Sequence, residues 1–205
     1  MPSLNPSNLR EENTFHTLET LYVLQARPSL RQRHWCLLGE ITEIVPWPVR
    51  LCIHIRDMDN EELMVSFNDD QRGATFARHP NLKPGSTMAF LYPEFHAFMD
   101  GQTGLRIEQP AIHAGAVKIL PYSMDTILKV NDQIWKKKGC LECQKCQKKD
   151  IELKRCSRCQ SAIYCGKDCQ TTDWKEHKKV CKVFAEVKWF TDKDWVSASV
   201  ENFRF

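Results

Sequence analysis

The feature that most constrains this chain is a run of metal-type ligands in its last third: Cys143-x2-Cys146-x9-Cys156-x2-Cys159-x5-Cys165-x3-Cys169-x7-His177-x3-Cys181. Seven cysteines and one histidine make eight ligands. A structural zinc ion takes four Cys or His ligands in a tetrahedron, so eight satisfy two ions with nothing left over. The spacers have a mechanical meaning. Two thiolates of a C-x2-C knuckle point at one ion across a tight turn. The pairs Cys165/Cys169 and His177/Cys181 have the i, i+4 spacing that shares one face of a helix. Spacing alone leaves open which pairs meet.

Other uses of clustered cysteine fit less well. A redox dithiol needs one C-x2-C, and a disulfide framework needs an oxidising compartment. The first residues, MPSLNPSNLREEN, are polar and lack the basic-then-apolar build of a secretory signal. No apolar run approaches the roughly 20 residues that span a bilayer. The expectation is an intracellular protein of the nucleus or cytoplasm, off the membrane, with two Zn2+ as cofactors. Catalytic zinc keeps a coordination position open for water, whereas both sites here would be saturated. The HExxH and deaminase signatures are absent from the sequence. The zinc is therefore read as structural. So small a segment cannot fold on an apolar core alone, and metal binding supplies roughly 10–16 kcal/mol of apparent free energy.

The order C-x2-C, C-x2-C, Y-C-x3-C-Q, D-W-x2-H-x3-C resembles the MYND zinc finger. The likeness extends beyond the ligands to Tyr164, Gln170, Asp173 and Trp174. It implies interleaved coordination: Cys143, Cys146, Cys165 and Cys169 on one zinc, Cys156, Cys159, His177 and Cys181 on the other. It also implies a peptide site for short proline-containing segments, formed by Ser157, Gln170 and Trp174. The physics suits such a ligand. An indole offers flat apolar area to a proline ring, and Ser and Gln can bond an extended backbone that has no internal hydrogen bonds. The plainer alternative is that Trp174 packs the finger and Gln170 caps a loop. Cys140 is an extra: CLECQKC offers Cys140/Cys143 or Cys143/Cys146 as the first knuckle. The second choice fits the family spacing, which leaves Cys140 a free thiol or a packing residue.

Charge divides the chain near the same place as cysteine. Residues 1–135 carry a net charge of −4, residues 136–182 carry +8 and residues 183–205 carry −1. A basic block suits nucleic acid or acidic protein partners. The lysines are scattered, with few aromatics among them on which bases could stack. Solubility and partner steering are the favoured readings.

The first two-thirds read as β. Residues 1–33 are an extension whose FHTLETLYVLQ, with Phe15, Leu18 and Tyr22 at near-helical spacing, suits a helix or a strand. WCLLGEITEI is a strand with Gly39 as a possible bulge. VRLCIHIRD alternates with Val49, Leu51, Ile53 and Ile55 on one face. ELMVSF follows with Leu63, Val65 and Phe67 inward, then a helix over DDQRGATFARH capped near Asp69 or Asp70. TMAFLYPEFHAFM is a long strand region turned at Asp100-Gly101, and LRIEQ and AVKIL close the series. Ser123 then caps a helix carrying Met124, Ile127, Leu128 and Ile134. Three strands, a helix and further strands is the order of an OB-fold, a small partly open barrel.

The expected architecture is therefore mainly β. An N-terminal extension (1–33) precedes a small OB-like β-barrel with a closing helix (34–135) and a basic linker (136–139). A zinc-stabilised α+β finger of MYND type (140–182) and a tail (183–205) follow. His96 with Asp100, and Cys52 with His54, are the nearest approach to a catalytic pair, and neither forms a recognised motif. The expected function is a non-enzymatic adaptor whose finger binds a proline-containing peptide of a protein partner. The alternative is a nucleic-acid-binding protein using the barrel and the basic finger. Against it, phosphate tracking needs Lys and Arg, and the barrel region is net negative.

Overall fold

The structure is a computed structural model; it describes residues 7–27, 33–46, 48–136, 142–149, 152–197 and 201–205. The chain divides into two compact units. One is Arg10–Met124 with Asp194–Phe205; the other is Asp125–Lys193 with the stretch ending at Leu9.

The first unit is mainly β. Its elements are β1 (Phe15–His16), α1 (Leu18–Ala26), β2 (Cys36–Val45), β3 (Cys52–Arg56), β4 (Glu62–Phe67), α2 (Ala74–Ala77), β5 (Thr87–Leu91), β6 (Phe95–Ala97), β7 (Thr103–Ile107), α3 (Gln109–His113) and β8 (Val117–Leu120). The sheet runs β6-β7-β4-β3-β2-β5-β8, with β1 added beside β2. Pairing is parallel for β4–β7 and β1–β2 and antiparallel elsewhere. β2 is long enough to serve two neighbours: Cys36–Glu40 pair with β5, and Glu40–Val45 pair with β3. One strand shared in this way coils the sheet. Among the described residues the path does not close, because β6 and β8 stay at its two ends. The expected OB-like barrel is thus an open, coiled sheet.

The core lies against one face of that sheet. Leu37, Ile41, Ile53, Ile55, Val65, Phe67, Met88, Phe90 and Leu105 are buried together, with Leu18, Leu21 and Leu24 of α1 against them. The inward alternation expected for β3 and β4 is present at Leu51, Ile53, Ile55, Val65 and Phe67. Val49 departs from it, being exposed in the bend before β3. Gly39 has a different purpose from the one expected. The register shift falls between Ile41 and Glu43. A Cβ on Gly39 would meet Ile55 Cδ1 at 2.5 Å, so the glycine permits close packing of β2 on β3.

One open local reading resolves and two others change. The segment left open between helix and strand is both: Phe15 lies in β1, and α1 turns Leu18, Leu21 and Leu24 inward while Tyr22 is 66% exposed. Thr17 and Thr20 form a capping box at its start, and Asp57 Oδ2 accepts from Leu18 N at 2.7 Å. The helix expected from Asp69 shrinks to the four residues of α2. Asp69 instead holds a turn, accepting from Gly73 N at 2.7 Å and Gln71 N at 3.1 Å. Arg72 and Gly73 both have positive φ there, which stops helix propagation. The long strand region from Thr87 breaks at Tyr92 (φ 54) and Pro93 into β5 and β6.

Residues 194–205 return to this unit. Trp195 is fully buried, edge-on to Phe15 (4.9 Å) and Phe203 (5.0 Å). Phe203 stacks on His34 at 4.2 Å and donates its N–H to the Tyr92 hydroxyl at 2.8 Å. Phe205 N bonds Gly115 O at 2.9 Å.

The second unit holds α4 (Met124–Lys136, from Asp125 onward), β9 (Lys154–Arg155), β10 (Ile163–Tyr164) and α5 (Lys167–Thr191). Asn131 is buried in α4; its Oδ1 accepts from Leu9 N at 3.0 Å and its Nδ2 donates to Asn8 Oδ1 at 2.8 Å. α5 runs well past the last cysteine of the ligand series, with Val183, Phe184, Val187 and Phe190 buried along it.

Candidate metal centre

The second unit is built from two knuckles, one β-ribbon and one helix. In the first knuckle Gln147 N bonds Cys143 O at 2.8 Å, and Cys143 N bonds Lys148 O at 2.9 Å. In the second, Gln160 N bonds Cys156 O at 2.9 Å, and Cys156 N bonds Ala162 O at 2.8 Å. Each knuckle therefore closes through a glutamine one residue past its second cysteine. Both glutamines are left-handed, Gln147 at φ 59 and Gln160 at φ 55. Non-glycine residues adopt that conformation at a cost of about 1–2 kcal/mol. The repeated C-x2-C-Q was visible in the sequence, though its geometric meaning was not.

The ribbon pairs Lys154 with Tyr164 and Arg155 with Ile163. This sets Cys156 at one end of β9 and Cys165 just after β10. α5 begins two residues later, at Lys167. Cys165 thus precedes the helix and only Cys169 rides its first turn, unlike the shared helical face expected for that pair. His177 and Cys181 do share a face of α5, eight and twelve residues beyond Cys169. One rigid helix therefore feeds both clusters, roughly 12 Å apart along its axis at 1.5 Å per residue. That is the physical origin of the interleaving.

The two clusters are Cys143, Cys146, Cys165, Cys169 and Cys156, Cys159, His177, Cys181, with ligand atoms all within 4.8 Å of one another in each. In the first, Cys146 Sγ lies 3.6 Å from Cys165 Sγ, and Cys165 Sγ lies 3.4 Å from Cys169 Sγ. In the second, Cys156 Sγ is 3.9 Å from Cys181 Sγ and Cys159 Sγ is 3.6 Å from His177 Nε2. A tetrahedron with Zn–S bonds of about 2.3 Å has edges of roughly 3.8 Å. Both clusters fit a zinc ion. The second is wholly buried, whereas the first leaves Cys146 exposed. Cys140 lies outside the described residues.

Electrostatics favour a cation at both places. Burial pushes the Cys143 thiol up, but the backbone N–H groups of Cys146, Cys165 and Lys145 outweigh it and draw the pKa down to about 6. Burial likewise opposes ionisation of Cys156, and the N–H groups of Cys159 and Arg158 overcome it, so its pKa is lowered. Their neighbours bear the repulsion. Cys169 is pushed up to about 12, first through its hydrogen bond to Cys165. Cys181 is pushed up to about 12 by burial and then by the charge on Cys159. Four thiolates in the first cluster, and three in the second, within bonding distance of one point need a divalent cation to coexist.

Tyr164 and Asp173 brace the arrangement. The buried Tyr164 hydroxyl donates to Asp173 Oδ2 at 2.7 Å, joining β10 to α5. The His177 ring is surrounded by Tyr164 (6.1 Å), Trp174 (5.9 Å) and Phe184 (6.1 Å). Of the expected peptide-contacting residues, Trp174 is 39% exposed, Ser157 is exposed and Gln170 is half-buried in the first turn of α5. The remaining polar candidates have local duties. Asp100 Oδ1 accepts from Gln102 N at 3.0 Å in the β6–β7 turn, and His96 packs edge-on to Phe98 at 5.1 Å. Cys52 contacts Ser66 Oγ at 3.7 Å, and His54 is half-buried two residues on in β3.

Comparison with known proteins agrees with this geometry. The model of the MYND finger family matches residues 143–181. A SET and MYND domain-containing protein of Dictyostelium discoideum is 37% identical over 76 residues, 34% of this chain and 14% of that relative. SET domain-containing protein 14 of Caenorhabditis elegans is 48% identical over 40 residues, 20% of this chain and 9% of its own. Egl nine homolog 1 of Homo sapiens is 52% identical over 40 residues, again 20% and 9%. The likeness thus covers less than a sixth of each of these relatives. A chain of the S. pombe Stn1–Ten1 complex superposes at a TM-score of 0.34 with 17% identity over 51% of this chain and 67% of that one, too slight to bear on fold or function. Residues 143–181 of this chain are a two-zinc MYND finger.

Proposed function

We propose that this protein is a non-catalytic adaptor of a reducing, intracellular compartment, whose zinc-held finger captures a short proline-containing peptide of a partner protein. The coarser part, a zinc-dependent protein-interaction domain, rests on the finger itself. The observation that carries the finer part is Trp174. A tryptophan 39% exposed, in the helix segment between two zinc clusters, is a preformed apolar platform. Its ring is backed by His177, which the second cluster holds in place. An aromatic so positioned loses little entropy on binding and fits the flat face of a proline ring. Ser157 and Gln170 would bond the peptide backbone on either side. The coiled sheet would serve as the scaffold that presents the finger. Nucleic acid is not favoured as the partner, since the region bearing the sheet carries a net charge of −4.

The test is binding of fluorescent proline-containing peptides to the zinc-loaded chain and to the same chain after chelation. Binding that disappears with zinc supports the reading. Equal binding to the two forms, or no discrimination between proline and alanine peptides, contradicts it.

A further inference from the structure

The charge around Trp174 is one-sided, and this narrows the partner. At 3.6 residues per turn, Lys167, Gln170 and Lys178 fall within about 40° of Trp174 around α5. Asp173, Asp168 and Glu176 lie about 100° or more away. Asp173 is moreover engaged by Tyr164, and Glu176 salt-bridges Lys179 at 2.6 Å. Lys167 and Lys178 are exposed and, among the described residues, have no carboxylate partner. The indole therefore sits between two cations with no carboxylate beside them on this face of the helix.

Resting on the peptide reading above, we propose that the occupant is an acidic proline-containing segment, with one carboxylate against Lys167 and another against Lys178 on either side of the proline that covers Trp174. The spacing sets a register. Lys167 lies roughly 10 Å before Trp174 along the helix and Lys178 roughly 6 Å after it, at 1.5 Å per residue. An extended polyproline-type peptide advances about 3.1 Å per residue. The carboxylates thus belong about three residues to one side of the proline and two to the other. Opposite charges at the rim of an apolar anchor act chiefly on encounter, raising the association rate and fixing register.

Two peptide sets test this with the full zinc-loaded chain. Each peptide has a central proline among small and apolar residues. One set carries Glu at the two flanking places, in both chain directions; the other carries Gln there. The Glu set should associate about tenfold faster at low salt, with the advantage shrinking as salt is raised. Lys167→Ala with Lys178→Ala should bring the Glu set down to the Gln rate and leave the Gln set unchanged. Equal rates for the two sets, with both still captured, overturn the acidic proposal and leave the proline reading standing. Glu peptides that bind equally well when the proline is changed to alanine overturn both. So does a single-stranded oligothymidylate that binds more tightly than any peptide, or the capture of no peptide by zinc-loaded protein.

Discussion

The Tyr164 hydroxyl donates to Asp173 Oδ2 at 2.7 Å, tying the strand that leads into Cys165 to the helix that carries Cys169, His177 and Cys181. Burial and the neighbouring Asp173 carboxylate raise the phenol's pKa, so it stays protonated and remains a donor. Tyr164→Phe keeps the ring and removes the bond. A hydrogen bond to a charged acceptor contributes about 1.5–3 kcal/mol. The variant should hold zinc roughly tenfold or more weakly in a chelator competition. Unchanged affinity would mean that the brace is ornamental to the metal sites.

The pairing of ligands makes a separable prediction. Cys143→Ser and Cys156→Ser should each lose about one zinc of two, from different clusters. Cadmium substitution with NMR detection distinguishes an all-sulfur site from one that includes a histidine nitrogen. Loss of the same resonance in both variants would contradict the interleaved assignment.

Metal removal should act locally. The finger segment is two knuckles, a two-residue ribbon and a helix start, with little apolar surface of its own to bury. The coiled sheet has its own core from Leu18 to Ile119 and no metal cluster among its described residues. After chelation, amide protection should vanish between residues 143 and 177 and persist in β2, β3 and β5. Loss throughout residues 34–120 would show one cooperative unit instead.

Low pH should loosen the sheet-bearing unit through two histidines. Burial, aided by Arg33, lowers the His16 pKa to about 4. Burial also lowers that of His34, against the opposing pull of the Ser197 carbonyl and Asp194. His34 Nε2 donates to Ser197 O at 3.1 Å, which leaves Nδ1 to accept from the Tyr92 hydroxyl at 2.6 Å. Both rings are thus neutral when folded. An unfolded histidine titrates near 6.5, so between about 6.5 and 4 the unfolded chain binds more protons. The stabilisation is complete above that window and is lost as pH falls through it. Exchange-derived opening free energies of β2 and β5 should drop from pH 7 to pH 5, with a shallower slope in His16→Gln. A flat profile would show that neither ring is held neutral.

The sequence was most legible where chemistry restricts residue type. All eight zinc ligands could be placed because thiolates and imidazole at knuckle and helix spacing have few other uses. Strands β3 and β4 could be read from the inward series Leu51, Ile53, Ile55, Val65 and Phe67. Contacts between residues far apart in the chain were not legible. Nothing local to Asp57 says that it caps α1 at Leu18, thirty-nine positions away. The return of Trp195 and Phe203 to the first unit is equally hidden, since two aromatics in an aperiodic segment carry no pattern. The stop after Asp69 is a backbone effect: Arg72 and Gly73 go left-handed to fit beside Leu51 and Phe67, which a helical pattern of side chains does not disclose.

If the finger grips an extended peptide at Trp174, equilibrium titration of a captured proline peptide with Trp174→Ala will show it. Truncating an aromatic anchor costs at least about 2 kcal/mol, which is more than an order of magnitude in affinity. Zinc counted in the same sample separates a lost contact from a damaged finger. Trp174→Ala should retain two zinc ions and lose the peptide, while Lys178→Ala with Lys179→Ala should weaken binding less. A zinc-loaded Trp174→Ala that binds as well as the wild type, with the lysine pair essential, would contradict a grip at Trp174.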